Sequence, residues 1–252
     1  MHSAPASGYW DQHPFDLRCE WGPRAVAALA PISDVVIVVD VLSFSTCVDI
    51  AVARGAKVYV PVPGAESAAD MAHRLGAALV GFEGATYRLS ATAMLGVPPG
   101  TRLVMPSPNG ATLSALVGAT PTLAGCLRNA RAVAAAAARL GRRVAVIPAG
   151  ERWPEDAHGD RSLRPAVEDL IGAGAILDHL PGRRSPEVEL AVAAFRAVRG
   201  RLPAFLLACS SGREHAARGT EGDVALAAQL DVSDFAPRLV AGAYVAGAGD
   251  AP

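Results

Sequence analysis

Val35-Val-Ile-Val-Val39-Asp40-Val-Leu-Ser43-Phe-Ser45-Thr46-Cys-Val48-Asp49-Ile-Ala51-Val52-Ala-Arg54-Gly55 is the stretch on which the fold turns. The β-branched run Val35 to Val39 reads as a strand buried on both faces of a sheet. It stops at Asp40. The hydroxyls of Ser43, Ser45 and Thr46 follow, and then Val48, Ala51 and Val52 recur at helical spacing before Arg54 and Gly55. Thr46 and Asp49 stand at capping-box spacing, with Asp in place of Glu, so a helix is predicted to begin at Ser45 or Thr46. A carboxylate delivered beside a hydroxyl-rich helix start suits an anion such as phosphate at the free N–H groups. Asp40 would then hold a cation against that anion or act on bound water. The same residues serve equally well as loop and helix caps with no ligand.

Working outward, Lys57 to Val62 reads as a strand, Gly64 to Leu75 as a helix and Ala77 to Gly81 as a strand. This alternation marks an α/β fold, layered αβα, with a mainly parallel or mixed sheet. Phe82 to Pro99 is irregular, either a functional loop or a connection with a short helix. Further strands are predicted over Arg102 to Met105, Thr122 to Ala124 and Val144 to Pro148. Asn109-Gly110 opens a helix to Val117, and Asn129 caps an alanine-rich helix to Leu140. Pro165 marks the first position of a helix reaching His179, with Glu168 and Asp169 in its first turn. Ser185-Pro186 opens another to Arg199. Three short helices and one final strand, Arg238 to Val245, complete two similar-sized halves: 1–120, carrying the Asp40 strand end, and 121–252, richer in helix.

Composition narrows the function. A net charge of −1 gives no electrostatic case for nucleic acid or an acidic membrane. Cys19, Cys47, Cys126 and Cys209 lie far apart, as free thiols in a reducing compartment do. Met1 to Trp10 lacks the marks of a signal peptide, and no apolar run is long enough to span a membrane, so a cytoplasmic location is expected. The histidines show no zinc-ligand spacing. There is no Gly-x-Gly-x-x-Gly, Walker lysine loop or Gly-x-Ser-x-Gly elbow. A homodimer is a candidate assembly.

Four strand ends share one design, an apolar run, a polar turn and a helix start: Asp40 to Thr46, Ser107 to Thr112, Gly125 to Asn129 and Ala149 to Asp169. On one edge of a parallel sheet they would meet where ligands bind. They supply carboxylates (Asp40, Glu151, Asp160, Glu168, Asp169), amides and hydroxyls (Ser45, Thr46, Asn109, Asn129) and one cation, Arg128. Oxygen-rich ligation suits Mg²⁺ with a phosphate. Taken singly, Asn109 and Asn129 are helix caps, Glu168 and Asp169 complement a helix dipole, and Cys47 and Cys126 are small core residues.

The order of these motifs resembles the 2-phosphosulfolactate phosphatase family, Mg²⁺-dependent enzymes of the coenzyme M pathway. The matching stretches are Asp40-Val-Leu…Ser45-Thr46, Ala53-Arg-Gly55-Ala, Asn109-Gly110-Ala-Thr, Leu127-Arg-Asn129-Ala and Ala149-Gly150-Glu. Val167-Glu168-Asp169-Leu, Ser211-Gly212-Arg213 and Asp223…Leu230-Asp-Val-Ser-Asp234 continue the match, which runs from Val35 to Leu239. The resemblance implies hydrolysis of a small phosphorylated, sulfonated acid. Asp40 and Glu168 would be catalytic, and Asp40, Glu168 and Asp169 would bind metal. Ser43, Ser45, Thr46, Asn109, Gly110, Arg128, Asn129 and Arg213 would contact substrate.

The chain departs from the family pattern at Ser43, where arginine is usual, at Phe44, and at Glu83-Gly84-Ala85, where a second arginine is gone. Ser90-Ala-Thr-Ala93 replaces a Gly-Asn-Ser-Pro element. Fewer arginines favour a substrate with fewer anionic groups than 2-phosphosulfolactate, with Arg128 a compensating cation. The alternative implied is an inactive homologue that binds a small anionic metabolite.

Overall fold

The computed structural model describes residues 8–81, 85–154 and 162–247. Its strands are β1 (Leu17–Cys19), β2 (Val35–Val39), β3 (Lys57–Tyr59), β4 (Ala78–Gly81), β5 (Tyr87–Arg88), β6 (Arg102–Val104), β7 (Thr122–Gly125), β8 (Val144–Pro148), β9 (Glu151–Arg152), β10 (Leu163–Arg164), β11 (Arg238–Val240) and β12 (Ala243–Val245). The helices are α1 (Gly22–Leu29), α2 (Phe44–Ala53), α3 (Ala68–Leu75), α4 (Ala91–Met94), α5 (Gly110–Leu116), α6 (Ala130–Leu140), α7 (Val167–Asp178), α8 (Pro186–Val198), α9 (Leu202–Ala208), α10 (Ser210–Ala217) and α11 (Glu221–Ala227).

Ten strands form one sheet in the order β1-β8-β2-β7-β11-β12-β3-β6-β4-β5, and β9 and β10 form a separate ribbon. The strand β2 is buried along its whole length, as its β-branched run predicts. Its side chains alternate between layers. Val35, Ile37 and Val39 join a core that includes residues of α6, α7 and α8, whereas Val36 and Val38 pack with α1 and α5. Helices therefore cover both faces, the αβα layering expected of the sequence. In the first layer α7 and α8 approach closely at Gly174, where a Cβ would lie 2.1 Å from the Ala191 carbonyl oxygen.

The final strand is two strands. Ala241 and Gly242 both take positive φ and turn the chain into the antiparallel hairpin β11–β12. That hairpin sits in the middle of the sheet, antiparallel to β7 on one side and to β3 on the other. The parallel block β1-β8-β2-β7 therefore runs opposite to the parallel block β3-β6-β4-β5. The four strand ends do not all belong to one parallel edge. The loop after β6 instead crosses to the first block, where α5 packs against β2 and α1. Strands on either side of residue 120 (β2 with β7 and β8) are neighbours in that block.

Two helix starts differ from expectation. Helix α2 begins at Phe44 behind Ser43, with no side-chain cap. Thr46 and Asp49 do not form a capping box, because Thr46 Oγ1 donates to the Val41 carbonyl and Asp49 pairs with distant groups. Helix α7 begins at Val167 behind an extended Ala166, so Pro165 precedes the helix. Among the described residues no helix is long and apolar enough to cross a membrane.

Candidate active site

Asp40 follows β2 and is buried. One carboxylate oxygen, Oδ2, accepts the Gly110 backbone N–H at 2.8 Å and the Ser107 hydroxyl at 3.4 Å. The other, Oδ1, accepts the Phe44 N–H at 3.2 Å. Ser45 fixes the backbone beneath it: its Oγ accepts the Asp40 N–H and donates to the Val38 carbonyl. Asp40 thus joins the start of α2 to the start of α5, two loops 70 residues apart in sequence.

Asp169, in the first turn of α7, joins that same β2–α2 loop to the loop after β8. Its oxygens accept the Val41 N–H at 2.7 Å and the Gly150 N–H at 2.9 Å. Beside it, the buried Glu168 accepts the Cys209 thiol at 3.4 Å. Glu151, in β9, accepts the Asn109 side-chain amide at 3.0 Å. The carbonyl end of that same amide, Asn109 Oδ1, is buried without a hydrogen-bond partner.

Asp40, Glu151 and Asp169 each feel the negative charge of neighbouring carboxylates. Burial pushes the Asp40 carboxyl up to about 6, against the N–H donors of Gly110 and Phe44 and with the charge of Glu168 adding to the rise. Burial and then the charge of Asp40 raise Glu151 to about 7. Asp169 is held well above its usual range by burial and by the charges of Asp40 and Glu168. Such a cluster seeks a proton or a cation.

The donor set is consistent with Mg²⁺. It consists of hard oxygens, and Asn109 Oδ1 is a buried acceptor with no donor. Among the described residues no three His, Cys, Asp or Glu side chains close a metal cage by themselves. Mg²⁺ commonly sits on one or two carboxylates and completes its shell with water and substrate phosphate.

Other candidate residues serve the frame. Arg128 donates from Nε to the fully buried Asp49 at 3.0 Å, and from Nη1 to the Leu226 carbonyl and the Gln229 side chain. Its guanidinium is engaged within the fold rather than held free for a ligand. Asn129 ties its own loop, accepting the Cys126 N–H and donating to the Ala124 carbonyl. The exposed Arg213, in α10, has no side-chain partner among the described residues. Burial raises the thiols of Cys126 to about 12 and Cys209 to about 11, and Cys47 well above its usual range, so none supplies a thiolate at neutral pH. Asp160 and the Glu83-Gly84 position lie outside the described residues.

The structure adds contacts that the sequence reading did not foresee, among them one at Glu151, which that reading counted with the candidate carboxylates. Ser107 reaches Asp40, and Glu151 reaches Asn109. His215 places Nε2 3.4 Å from Ser43 Oγ. The run Ala149-Gly150-Glu was the signal for Glu151; nothing local marks His215, which lies 172 residues from its partner.

The curated relatives include a probable 2-phosphosulfolactate phosphatase from Carboxydothermus hydrogenoformans, 28% identical over 211 residues that cover 80% of this chain and 84% of the relative. Residues 24–242 match the family model for 2-phosphosulpholactate phosphatase. The stretch from α1 to the β11–β12 turn, with every loop that meets at Asp40, falls within that match, and the chain belongs to the 2-phosphosulpholactate phosphatase family.

Proposed function

We propose that this protein is a Mg²⁺-dependent phosphomonoester hydrolase acting on a small phosphorylated acid of the 2-phosphosulfolactate type. The observation that carries the reading is that Asp40 and Glu151 are raised by burial and by neighbouring negative charge, that of Glu168 included, while Asn109, bonded to Glu151, keeps a buried unpaired acceptor. Asp40, Glu168 and Asn109 Oδ1 would hold Mg²⁺, which would withdraw charge from the phosphoryl group. Asp169 keeps the β2 and β8 loops together around it.

The remaining steps belong to the chain. Phe44 and Gly110 commit their N–H groups to Asp40, and Ser45 and Thr46 their hydroxyls to the Val38 and Val41 carbonyls, so phosphoryl oxygens would be received by the Ser43 hydroxyl, the exposed Arg213 and the positive end of α2. Glu151, whose carboxyl retains its proton near neutrality, donates it to the departing alkoxide and recovers it from the water that releases phosphate. Ser43 carries no charge where the family pattern has arginine, which favours a substrate with fewer anionic groups than 2-phosphosulfolactate.

The test is phosphate release from 2-phosphosulfolactate and 2-phospholactate with Mg²⁺ or with chelator. Mg²⁺-dependent release from either supports the reading, and a preference for 2-phospholactate supports the substrate argument. Thermal stabilisation by these acids with no phosphate release from any phosphorylated C3 or C4 acid would favour a binding protein without turnover.

A further inference from the structure

Ser43 stands at the turn between β2 and α2, three residues after Asp40, with backbone angles of φ −139° and ψ −4° outside the helix it precedes. Its hydroxyl meets His215 Nε2 at 3.4 Å, and the far side of the same ring is fixed. Thr220 Oγ1 donates its one proton to the His215 backbone carbonyl at 3.1 Å. It must therefore accept from His215 Nδ1–H, 2.9 Å away. With the proton on Nδ1, Nε2 of the neutral ring is an acceptor and the Ser43 hydroxyl is its donor.

Behind the ring lies Asp223, buried, with Oδ2 4.0 Å from Nδ1. Its other oxygen is held by the Ser90 hydroxyl, the Thr92 N–H and the Thr92 hydroxyl at 2.7–2.8 Å, which locks the carboxylate in place. Hydroxyl, imidazole and an orienting acceptor within hydrogen-bond reach, with a carboxylate behind, are the parts of an activated serine, and serine–imidazole separations are commonly loose before substrate arrives. His215, Thr220 and Asp223 line a cavity of about 460 Å³ together with Arg88, Ser90 and Arg218; Ser43 is not part of that lining and meets the ring at Nε2. Arg218 is paired with Glu214, whereas the exposed Arg88 has no partner among the described residues.

We propose that Ser43 is a nucleophile, activated by His215, that receives the phosphoryl group before water does. This deepens the phosphatase reading above and rests on it for the identity of the transferred group. Ser43 Oγ forms a bond to phosphorus as the ester oxygen leaves; the hydroxyl proton passes to His215 Nε2, and the alkoxide takes a proton from water. The hydroxide so formed attacks the phosphoserine, while His215 returns its proton to Ser43 Oγ. One water is consumed, and one alcohol and one phosphate are formed. His215 acts on the nucleophile directly; Thr220 and Asp223 are positioning residues.

The test is reaction of the full-length protein with a fluorophosphonate, which phosphonylates activated serines with loss of fluoride, followed by peptide mass spectrometry. Labelling is expected at Ser43, absent in Ser43→Ala and slowed at least about a hundredfold in His215→Gln. Thr220→Ser should restore the labelling rate that Thr220→Val loses, a rescue that a merely structural role for the hydroxyl in holding α10 would not produce in a rate measured on equally stable proteins. This pair decides the matter if His215→Gln fails to fold. An unlabelled Ser43, or labelling indifferent to both His215 and Thr220, would overturn the proposal. Phosphate release by a protein whose Ser43 stays unlabelled overturns this proposal alone. Labelled Ser43 in a protein that hydrolyses no phosphate ester overturns the phosphatase reading and leaves the activated serine standing.

Discussion

Gly110 donates its backbone N–H to Asp40 Oδ2 at 2.8 Å, joining two blocks of the sheet that run in opposite directions. The contact requires glycine. A Cβ there would lie 2.3 Å from the Phe44 ring and 2.8 Å from Asp40 Oδ2 itself, and neither neighbour is the free end of a flexible chain.

Gly110→Ala is therefore expected to displace Asp40 and Phe44 together. Overpacking of this kind costs about 1–3 kcal/mol of stability. Misplacement of a catalytic carboxylate by about 1 Å should lower kcat/KM about a hundredfold. Gly200→Ala is the control, since a Cβ there meets nothing within 4 Å. Denaturant melts and steady-state kinetics on both variants check the pair; equal behaviour would show that the Gly110 contact does not hold the site.

Arg128→Met should act on stability and not on substrate affinity. It leaves Asp49 buried with the Ser233 hydroxyl but without its guanidinium, and unpairing a buried ion pair costs about 3–5 kcal/mol. In protein still folded at low temperature, KM should stay within about twofold of native, below the scale of a lost charged hydrogen bond. A large rise in KM with little change in melting temperature would place Arg128 at the substrate instead.

The clustered carboxylates set a pH trend. Asp40, Glu151 and Asp169 hold protons more tightly in the folded chain than in the unfolded one. Between the unfolded carboxyl range, near 4, and about 7, the native state therefore binds more protons, and stability must fall as pH rises. Asp34, lowered to about 2 by its bonds to Arg143, works in the opposite sense but only below that window. In chelator the melting temperature should decline from pH 5 to pH 8, with Asp40 alone contributing on the order of 1 kcal/mol over that range. Mg²⁺ should flatten the decline. A melting temperature indifferent to both pH and Mg²⁺ would deny that the cluster binds a cation.

Parts of this fold are legible from local pattern. The strands Val35–Val39 and Val144–Pro148 announce themselves because every side chain along them is apolar and buried. The Asp40 loop follows from the first of them. What local pattern does not reveal is pairing at a distance. Ala241, beside Gly242, is no turn residue by composition, so the central hairpin reads as one strand and the reversal of the sheet goes unseen. Thr46 and Asp49 have the spacing of a capping box, yet Asp49 finds Arg128 79 residues away and Ser233 184 residues away. The same distance hides His215 from Ser43, and the buried Asp223 from both.

The most direct measurement of the central claim is phosphate release from 2-phospholactate and 2-phosphosulfolactate by native protein and by Asp40→Asn, each with Mg²⁺ and with chelator. The account predicts release by native protein only in Mg²⁺, and a loss of at least about a hundredfold in Asp40→Asn while the fold persists. Release undiminished by chelator, or an Asp40→Asn variant as active as native protein, would contradict it.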